Sequence, residues 1–111
     1  MTIQPAVLTA SVQLGNAAAA IYTTPAQGQA VIKRAVFTNT DTVPHTITVH
    51  RVPSAGSAST ANRVISAFRL TPGQSYVAAE LANMVLNGGD MIQALADTAS
   101  QVNVTMSGFT L

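Results

Sequence analysis

Apolar and polar residues alternate along this chain in short stretches, with a period of two. The clearest region spans residues 30–52, where two β-branched, apolar runs flank the polar stretch 39–44. Such alternation is typical of half-buried β-strands, because Val, Ile and Thr suit a pleated surface. Asn, Asp and Pro favour turns, since they bond to the nearby backbone or fix φ. The simplest prediction is two strands that form an antiparallel hairpin.

The first strand of this pair does not alternate cleanly, because Lys33 and Arg34 fall on opposite faces. Either a β-bulge near these residues switches the faces, or one charge lies along an inner rim. In the return strand, Ile47 and Val49 are predicted to face the core.

The same period recurs on both sides of this region. Residues 6–14 predict a first strand with one wholly apolar face, formed by Leu8, Ala10, Val12 and Leu14. Residues 63–70 predict a strand after the small, polar and flexible loop 53–60. A last strand is predicted over residues 101–111, with Gly108 at a bulge or a close backbone approach.

Two further turns are predicted from Pro and Gly. Residues 71–74 (TPGQ) match a type II turn with Gly73 at the position that needs φ > 0, and residues 75–79 are predicted to pair back. Residues 87–90 (NGGD) are predicted to close another hairpin, between 83–86 and 91–96. The pattern indicates an all-β fold: an antiparallel β-sandwich or jelly roll of about eight short strands.

Composition narrows the classes of function. Charged residues make up 8% of the 111 residues, against about 25% in typical soluble domains, while 48% are hydrophobic. A surface with few charges is easily buried in an interface, although a secreted or low-charge β-domain has the same composition. The net charge of +1 does not indicate a positively charged surface for binding nucleic acid or an anionic membrane. We see no secretory signal and no apolar run of membrane-spanning length.

Chemistry-bearing residues are scarce. There is no Cys, and most of the four acidic residues fall in predicted turns. The two histidines, His45 and His50, are predicted to be exposed on opposite faces of a strand, which does not suit a shared metal. No paired-carboxylate, nucleophile or phosphate-loop pattern is present. We therefore predict no enzymatic activity, no cofactor and no metal.

Two further groups of residues, one basic and one aromatic, each have two interpretations. Five basic residues are predicted either to converge on one sheet face or to protect strand edges; they are Lys33, Arg34, Arg51, Arg63 and Arg69. Tyr22 and Tyr76 form either a carbohydrate platform or half-buried parts of the core.

The order of these signals resembles that of a group of small virion proteins of tailed bacteriophages. The resemblance covers about four-fifths of the chain, from residue 21 to residue 108. The matching pieces are, in order, IYT (21–23), VIK (31–33), TNT (38–40), residues 46–52, LTPGQ (70–74), LNGGDMI (86–92) and VNVTMSG (102–108). The resemblance implies a non-catalytic β-sandwich accessory protein that acts as cement or decoration on a capsid, or sits on a tail or collar.

The sequence thus predicts an N-terminal arm or first strand over residues 1–20 and a single β-sandwich domain over 21–111. Its expected function is structural, as a capsid cement or decoration protein made in the host cytoplasm and located in the virion. The expected partners are the major capsid protein, other virion proteins and further copies of the chain, with no nucleic acid or membrane. The alternative is a tail, collar or carbohydrate-binding module. The candidate interface comprises Leu8, Ala10, Val12, Leu14, Arg63 and Arg69.

Overall fold

Nine β-strands and one short 3-10 turn form the structure, a computed structural model that describes residues 3–111. Met1 and Thr2, the start of the predicted arm, lie outside the described residues. The 3-10 turn is Thr60–Asn62. The strands are β1 Gln4–Gln13, β2 Ala19–Thr23, β3 Ala30–Asn39, β4 His45–Val52, β5 Arg63–Leu70, β6 Ser75–Val77, β7 Met84–Leu86, β8 Met91–Ala96 and β9 Val102–Thr110.

The strands make two antiparallel sheets. The first sheet has the order β1-β9-β3-β6, and β7 pairs with β3 beside β6. The second sheet has the order β2-β8-β4-β5. Strands that follow one another in the chain mostly lie in opposite sheets, which is the topology of a jelly roll. The predicted fold class is confirmed.

The core lies between the two sheets and is built from the inward residues of every long strand except β1. Phe37 and Ile32 of β3 and Ile47 and Val49 of β4 have no exposed surface. The core is completed by small and medium side chains, including Leu70, Leu81, Leu86, Ile92, Ala94, Val102, Val104 and Met106. The predicted inward positions of Ile47 and Val49 in β4 are confirmed.

The three hairpins predicted from short turns are wrong. β3 and β4 lie in different sheets, as do β5 and β6, and β7 and β8. Each of these strands has an apolar inner face, and the short connection carries the chain across the core to cover that face from the other side. Within the described residues, the one hairpin between consecutive strands is β4–β5, which encloses the long loop 53–62.

A β-bulge switches the faces of β3, as one of the two alternatives predicted. The register between β3 and β9 shifts between Ile32 and Arg34, so that Lys33 and Arg34 are both exposed and Ala35 returns to the core. Gly108 lies opposite this bulge, where an added Cβ would overlap the Val31 carbonyl oxygen. The predicted close backbone approach at Gly108 is therefore confirmed.

The side chain of Asn39 holds the corner between β3 and β4. Its Nδ2 donates to the carbonyl oxygens of Val43 at 2.9 Å and Leu70 at 3.2 Å, and its Oδ1 accepts from the Asp41 N–H at 2.9 Å. Asn39 is fully buried, so these bonds replace the water it has lost. They fix the corner that brings Asp41 to its place in the polar cluster described below.

Candidate assembly surface and polar clusters

The structure separates the four apolar residues of the candidate interface, of which three lie on β1 and Leu14 directly follows it. Leu14 is in the core with 2% exposure and Leu8 is half-buried against it, whereas Ala10 is exposed and Val12 is 38% exposed. The prediction of one inner face is thus wrong for Ala10 and Val12. Whether the set forms an interface stays a prediction.

Backbone irregularity explains the broken alternation of β1. Its register against β9 shifts on both sides of Thr9, and Ser11 has a φ of 40°. As a result Thr9, on the predicted polar face, is buried and its Oγ1 donates to the Ile21 carbonyl oxygen at 2.9 Å. A period of two in the sequence cannot anticipate such shifts, because each shift changes which residues face the core.

The basic residues do not converge on one face. Lys33 and Arg34 lie in the first sheet, whereas Arg51, Arg63 and Arg69 lie in the second. The candidate interface residues Arg63 and Arg69 are exposed on β5, at the edge of that sheet. Arg63 donates from Nη1 to the Ser66 Oγ at 3.2 Å. Their position agrees with the alternative prediction, that charges protect a strand edge.

An apolar row crosses the outer face of the first sheet. Pro5, Phe109, Val31 and Val85 are directly opposite one another on β1, β9, β3 and β7. Residues opposite one another in a ladder share a face, so the row is continuous over four strands. Val85 is 49% exposed, and Val7 nearby is 68% exposed. We call this row, with Val7, the outer apolar face.

An open groove of about 420 Å³ lies beside this row. It is lined by residues of β1 and β9 and by the bulge residue of β3: Pro5, Ala6, Val7, Lys33, Ser107, Gly108 and Phe109. The Lys33 ammonium donates to the Asn83 Oδ1 at 2.8 Å, which holds the only cation of the lining at its rim. The groove is mainly apolar and contains no acid or nucleophile pair.

Sequence analysis missed the outer apolar face. The available signal was that β3 carries apolar residues on both alternations, with Val31 and Val36 beside Ile32 and Phe37. One set faces the core, and the other set faces outward.

His45 is buried between two carboxylates. It is 5% exposed, with its Nδ1 2.8 Å from Asp97 Oδ1 and its Nε2 2.8 Å from Asp41 Oδ2. The hydrogen bond with Asp41 raises the pKa of His45, burial opposes this rise, and Asp97 adds to it. In return the pKa of Asp41 is lowered, first by His45 and then by the Thr42 N–H.

The prediction of exposed histidines is wrong for both residues. His45 has the same parity as Ile47 and Val49, so it faces inward with them. His50 is 3% exposed, and residues of the loop before β5 contact its ring. Its Nδ1 lies 3.0 Å from Asn62 Oδ1 and 3.0 Å from the Ser59 carbonyl oxygen, which anchors the loop before β5.

A second polar cluster surrounds Asp90 at the opposite end of the second sheet. Arg51 Nη2 donates to Asp90 Oδ2 at 3.0 Å, and the Ser54 N–H donates to Asp90 Oδ1 at 3.1 Å. The Asn87 N–H also donates to Asp90 Oδ2, at 3.0 Å. Asp90 is 7% exposed, and its side chain joins β4 and the β4–β5 loop to its own β7–β8 loop.

Tyr22 and Tyr76 lie far apart in the topology. Tyr22 is on β2 at one edge of the second sheet, whereas Tyr76 is on β6 at the opposite edge of the sandwich. Tyr76 stacks on Phe68 with ring centroids 4.1 Å apart, and its hydroxyl donates to Glu80. Burial and Glu80 together raise the pKa of Tyr76 to about 12, and burial raises that of Tyr22. The two rings therefore do not form one platform.

Within residues 3–111, no group of three or more His, Asp or Glu side chains is arranged to hold a metal ion. Over the same residues, no helix is long and apolar enough to cross a membrane.

Comparison with known proteins yields similar structures but no similar sequences. No protein-family model and no curated protein matches this chain. The structure of the infectious bursal disease virus Gx strain is similar with a TM-score of 0.57 and 11% identity, over 98% of this chain and 32% of that chain. The T13 particle of the same virus gives a TM-score of 0.54 and 9% identity, over 98% and 30%.

The VP2 subviral particle of infectious bursal disease virus is also similar, with a TM-score of 0.50 and 12% identity, over 98% of this chain and 32% of that chain. This chain spans about a third of the length of the chains it matches. At such identities the likeness concerns the fold. The fold is thus shared with proteins of virus particles, and these come from infectious bursal disease virus rather than from a tailed phage.

Proposed function

We propose that this chain is a non-enzymatic structural protein of a virus particle, and that it acts as cement or decoration on a capsid lattice. The observation that carries the proposal is the fold, because 98% of this chain matches part of chains from virus particles. The low charge of the sequence supports an interface role, since few charges need to lose water there.

The outer apolar face is the proposed contact with the shell. Val7 and Val85 are exposed, and Val31 and Phe109 are half-buried, so together they offer an apolar surface on this face. The strands of this sheet carry Lys33 and Arg34 but no Asp or Glu. Two copies placed face to face would bring like charges together, so a capsid protein that presents carboxylates around an apolar patch is the better partner.

Homo-oligomers would then use other surfaces, such as the free edge of β1 or the β5 edge with Arg63 and Arg69. The tail, collar and carbohydrate-binding alternatives gain no support from Tyr22 and Tyr76, because the two rings lie at opposite edges of the sandwich.

Localisation in purified particles is the first test. We expect an antibody against the chain to label the capsid surface in electron micrographs, and mass spectrometry to find the chain in stoichiometric amount. Label confined to the tail or collar would replace the cement role with the alternative. Absence of the chain from purified particles would contradict the proposal.

The outer apolar face is tested by Val85→Asp. A carboxylate in place of this valine would have to lose water on docking, so we expect binding to capsids that lack the chain to weaken at least about tenfold. Val43→Asp is the matched control, because Val43 is also 49% exposed but lies in the β3–β4 corner. Co-sedimentation measures both variants, after circular dichroism has shown that each folds. Equal binding by the two variants would move the contact elsewhere.

A further inference from the structure

His45 joins two connections at one end of the sandwich. Asp41 belongs to the β3–β4 connection, residues 40–44, and Asp97 belongs to the β8–β9 connection, residues 97–101. The ring of His45 lies between them, with both nitrogens 2.8 Å from a carboxylate oxygen. His45 and Asp97 are 52 residues apart in the chain, so the histidine is a direct link between distant parts of the chain.

The geometry requires a proton on each ring nitrogen. Only the imidazolium form donates from both Nδ1 and Nε2, whereas the neutral ring has one donor and one acceptor. A neutral ring would place a nitrogen lone pair 2.8 Å from an ionised carboxylate oxygen, which is repulsive. One of the two contacts must then open.

We propose that His45 is a pH-dependent latch that ties the β3–β4 connection to the β8–β9 connection while its ring is charged. Loss of one ring proton releases one of the two connections and leaves the rest of the sandwich folded. The latch is a property of the isolated chain, so it goes beyond the proposed function and can be tested without any particle.

The charges around the ring agree with this role. Asp41 and Asp97 are the charges that act on His45, and both favour its charged form. On the neighbouring strand β5, Leu70 lies opposite His45. Arg69, the residue before it, is exposed and lies opposite Thr46. The two carboxylates outweigh burial, and the pKa of His45 is raised above its usual 6.5.

The sign of the pH dependence follows from these shifts. A histidine whose pKa is raised by folding adds stability below about pH 6.5, and this stability is lost as the pH rises through the raised pKa. Asp41, whose pKa is lowered, adds stability that is lost as the pH falls below about 3.8. The latch is therefore closed in mildly acidic solution and opens as the pH rises through the raised pKa of His45.

The opposite end of the sandwich provides an internal reference. There Asp90 is held by Arg51 and by backbone N–H groups, without a histidine. The Thr24 N–H, which donates to the Asp90 carbonyl oxygen at 2.9 Å, reports on that end. The Asp97 N–H, which donates to the Thr46 carbonyl oxygen at 3.1 Å, and the Thr40 N–H, bonded to the Gln101 carbonyl oxygen at 2.9 Å, report on the latch.

The first experiment follows the imidazole ¹⁵N resonances of the purified chain by NMR between pH 4 and 10. We expect His45 to titrate above 6.5, and Asp97→Asn to lower its midpoint, because one carboxylate contact is lost. The variant His50→Gln assigns the resonances and should leave the His45 midpoint unchanged, since His50 contacts no carboxylate. A His45 midpoint at or below 6.5, or one that Asp97→Asn leaves unchanged, would overturn the proposal.

The second experiment measures amide hydrogen exchange, expressed as protection factors so that the intrinsic effect of pH on exchange is removed. We expect protection of the Asp97 and Thr40 amides to fall as His45 loses its proton, while the Thr24 amide keeps its protection. In His45→Gln the pH dependence should disappear even if overall stability is lower. Equal loss at both ends, or none at the latch end, would refute a local latch.

Discussion

At the scale of single residues, the backbone conformation of Gly73 makes its substitution by other residues destabilising. Its φ of 74° is in the left-handed region, and an added Cβ would meet no atom within 4 Å. Gly73→Ala should therefore destabilise the fold through the backbone alone, by about 1 kcal/mol. Chemical denaturation measures this loss.

Gly15→Ala is the matched control for this substitution. An added Cβ at Gly15 also meets no atom within 4 Å, but its backbone is outside the left-handed region. We expect this variant to be neutral or slightly more stable, by up to roughly 1 kcal/mol, because Ala restricts the unfolded chain. If both variants lose the same free energy of unfolding, the loss in Gly73→Ala does not arise from the type II turn at residues 71–74.

The same scale shows what local sequence can predict. Gly73 was predictable because a turn depends on the residue itself and its immediate neighbours, and Gly108 because a glycine within a strand pattern indicates a bulge or a close backbone approach. The contact of His45 with Asp97 was not, since the two are 52 residues apart and only the completed topology brings them together. The burial of Thr9 was hidden for a related reason: it depends on register shifts between β1 and β9.

At the scale of elements, strand positions followed from the pattern but strand partners did not. The predicted strand 63–70 has the same bounds as β5, and residues 91–96 have those of β8. The short connections suggested hairpins because consecutive strands are usually neighbours. In this chain they cross between sheets, and the hairpin encloses the 10-residue connection between β4 and β5.

Deletion of β1 is the prediction at this scale. The strand pairs with β9 of its own sheet, and Leu14 behind it is 2% exposed in the core. Removal of residues 1–14 should therefore lower the melting temperature or prevent folding, because β9 loses a partner and the core loses a leucine. Deletion of residues 1–3 is the control, since β1 begins at Gln4. A shortened chain that keeps its melting temperature but no longer assembles would show that β1 acts chiefly on a neighbouring subunit.

At the scale of the whole molecule, the topology makes nearly all strand pairing non-local. Among the eight pairs of consecutive strands in residues 3–111, only β4 and β5 are hydrogen-bonded to each other, and β1 pairs with β9. Folds dominated by such pairings fold slowly, in milliseconds to seconds, because loop closure must precede the contacts. The β4–β5 hairpin is the pairing with the least loop to close, so we expect it in the folding transition state.

Two insertions test this order of folding. Ten Gly and Ser residues placed after Gly56 would double the β4–β5 connection, and ten placed after Asn16 would lengthen the connection from β1 to β2, whose strands lie in different sheets. Each insertion should cost roughly 0.6–1 kcal/mol in loop entropy. In stopped-flow measurements followed by tyrosine fluorescence, the first should slow folding and leave unfolding unchanged, whereas the second should mainly speed unfolding. If the insertion after Gly56 acts only on the unfolding rate, the β4–β5 hairpin forms after the transition state. The paired strands β3 and β9 then become the candidates for the folding nucleus.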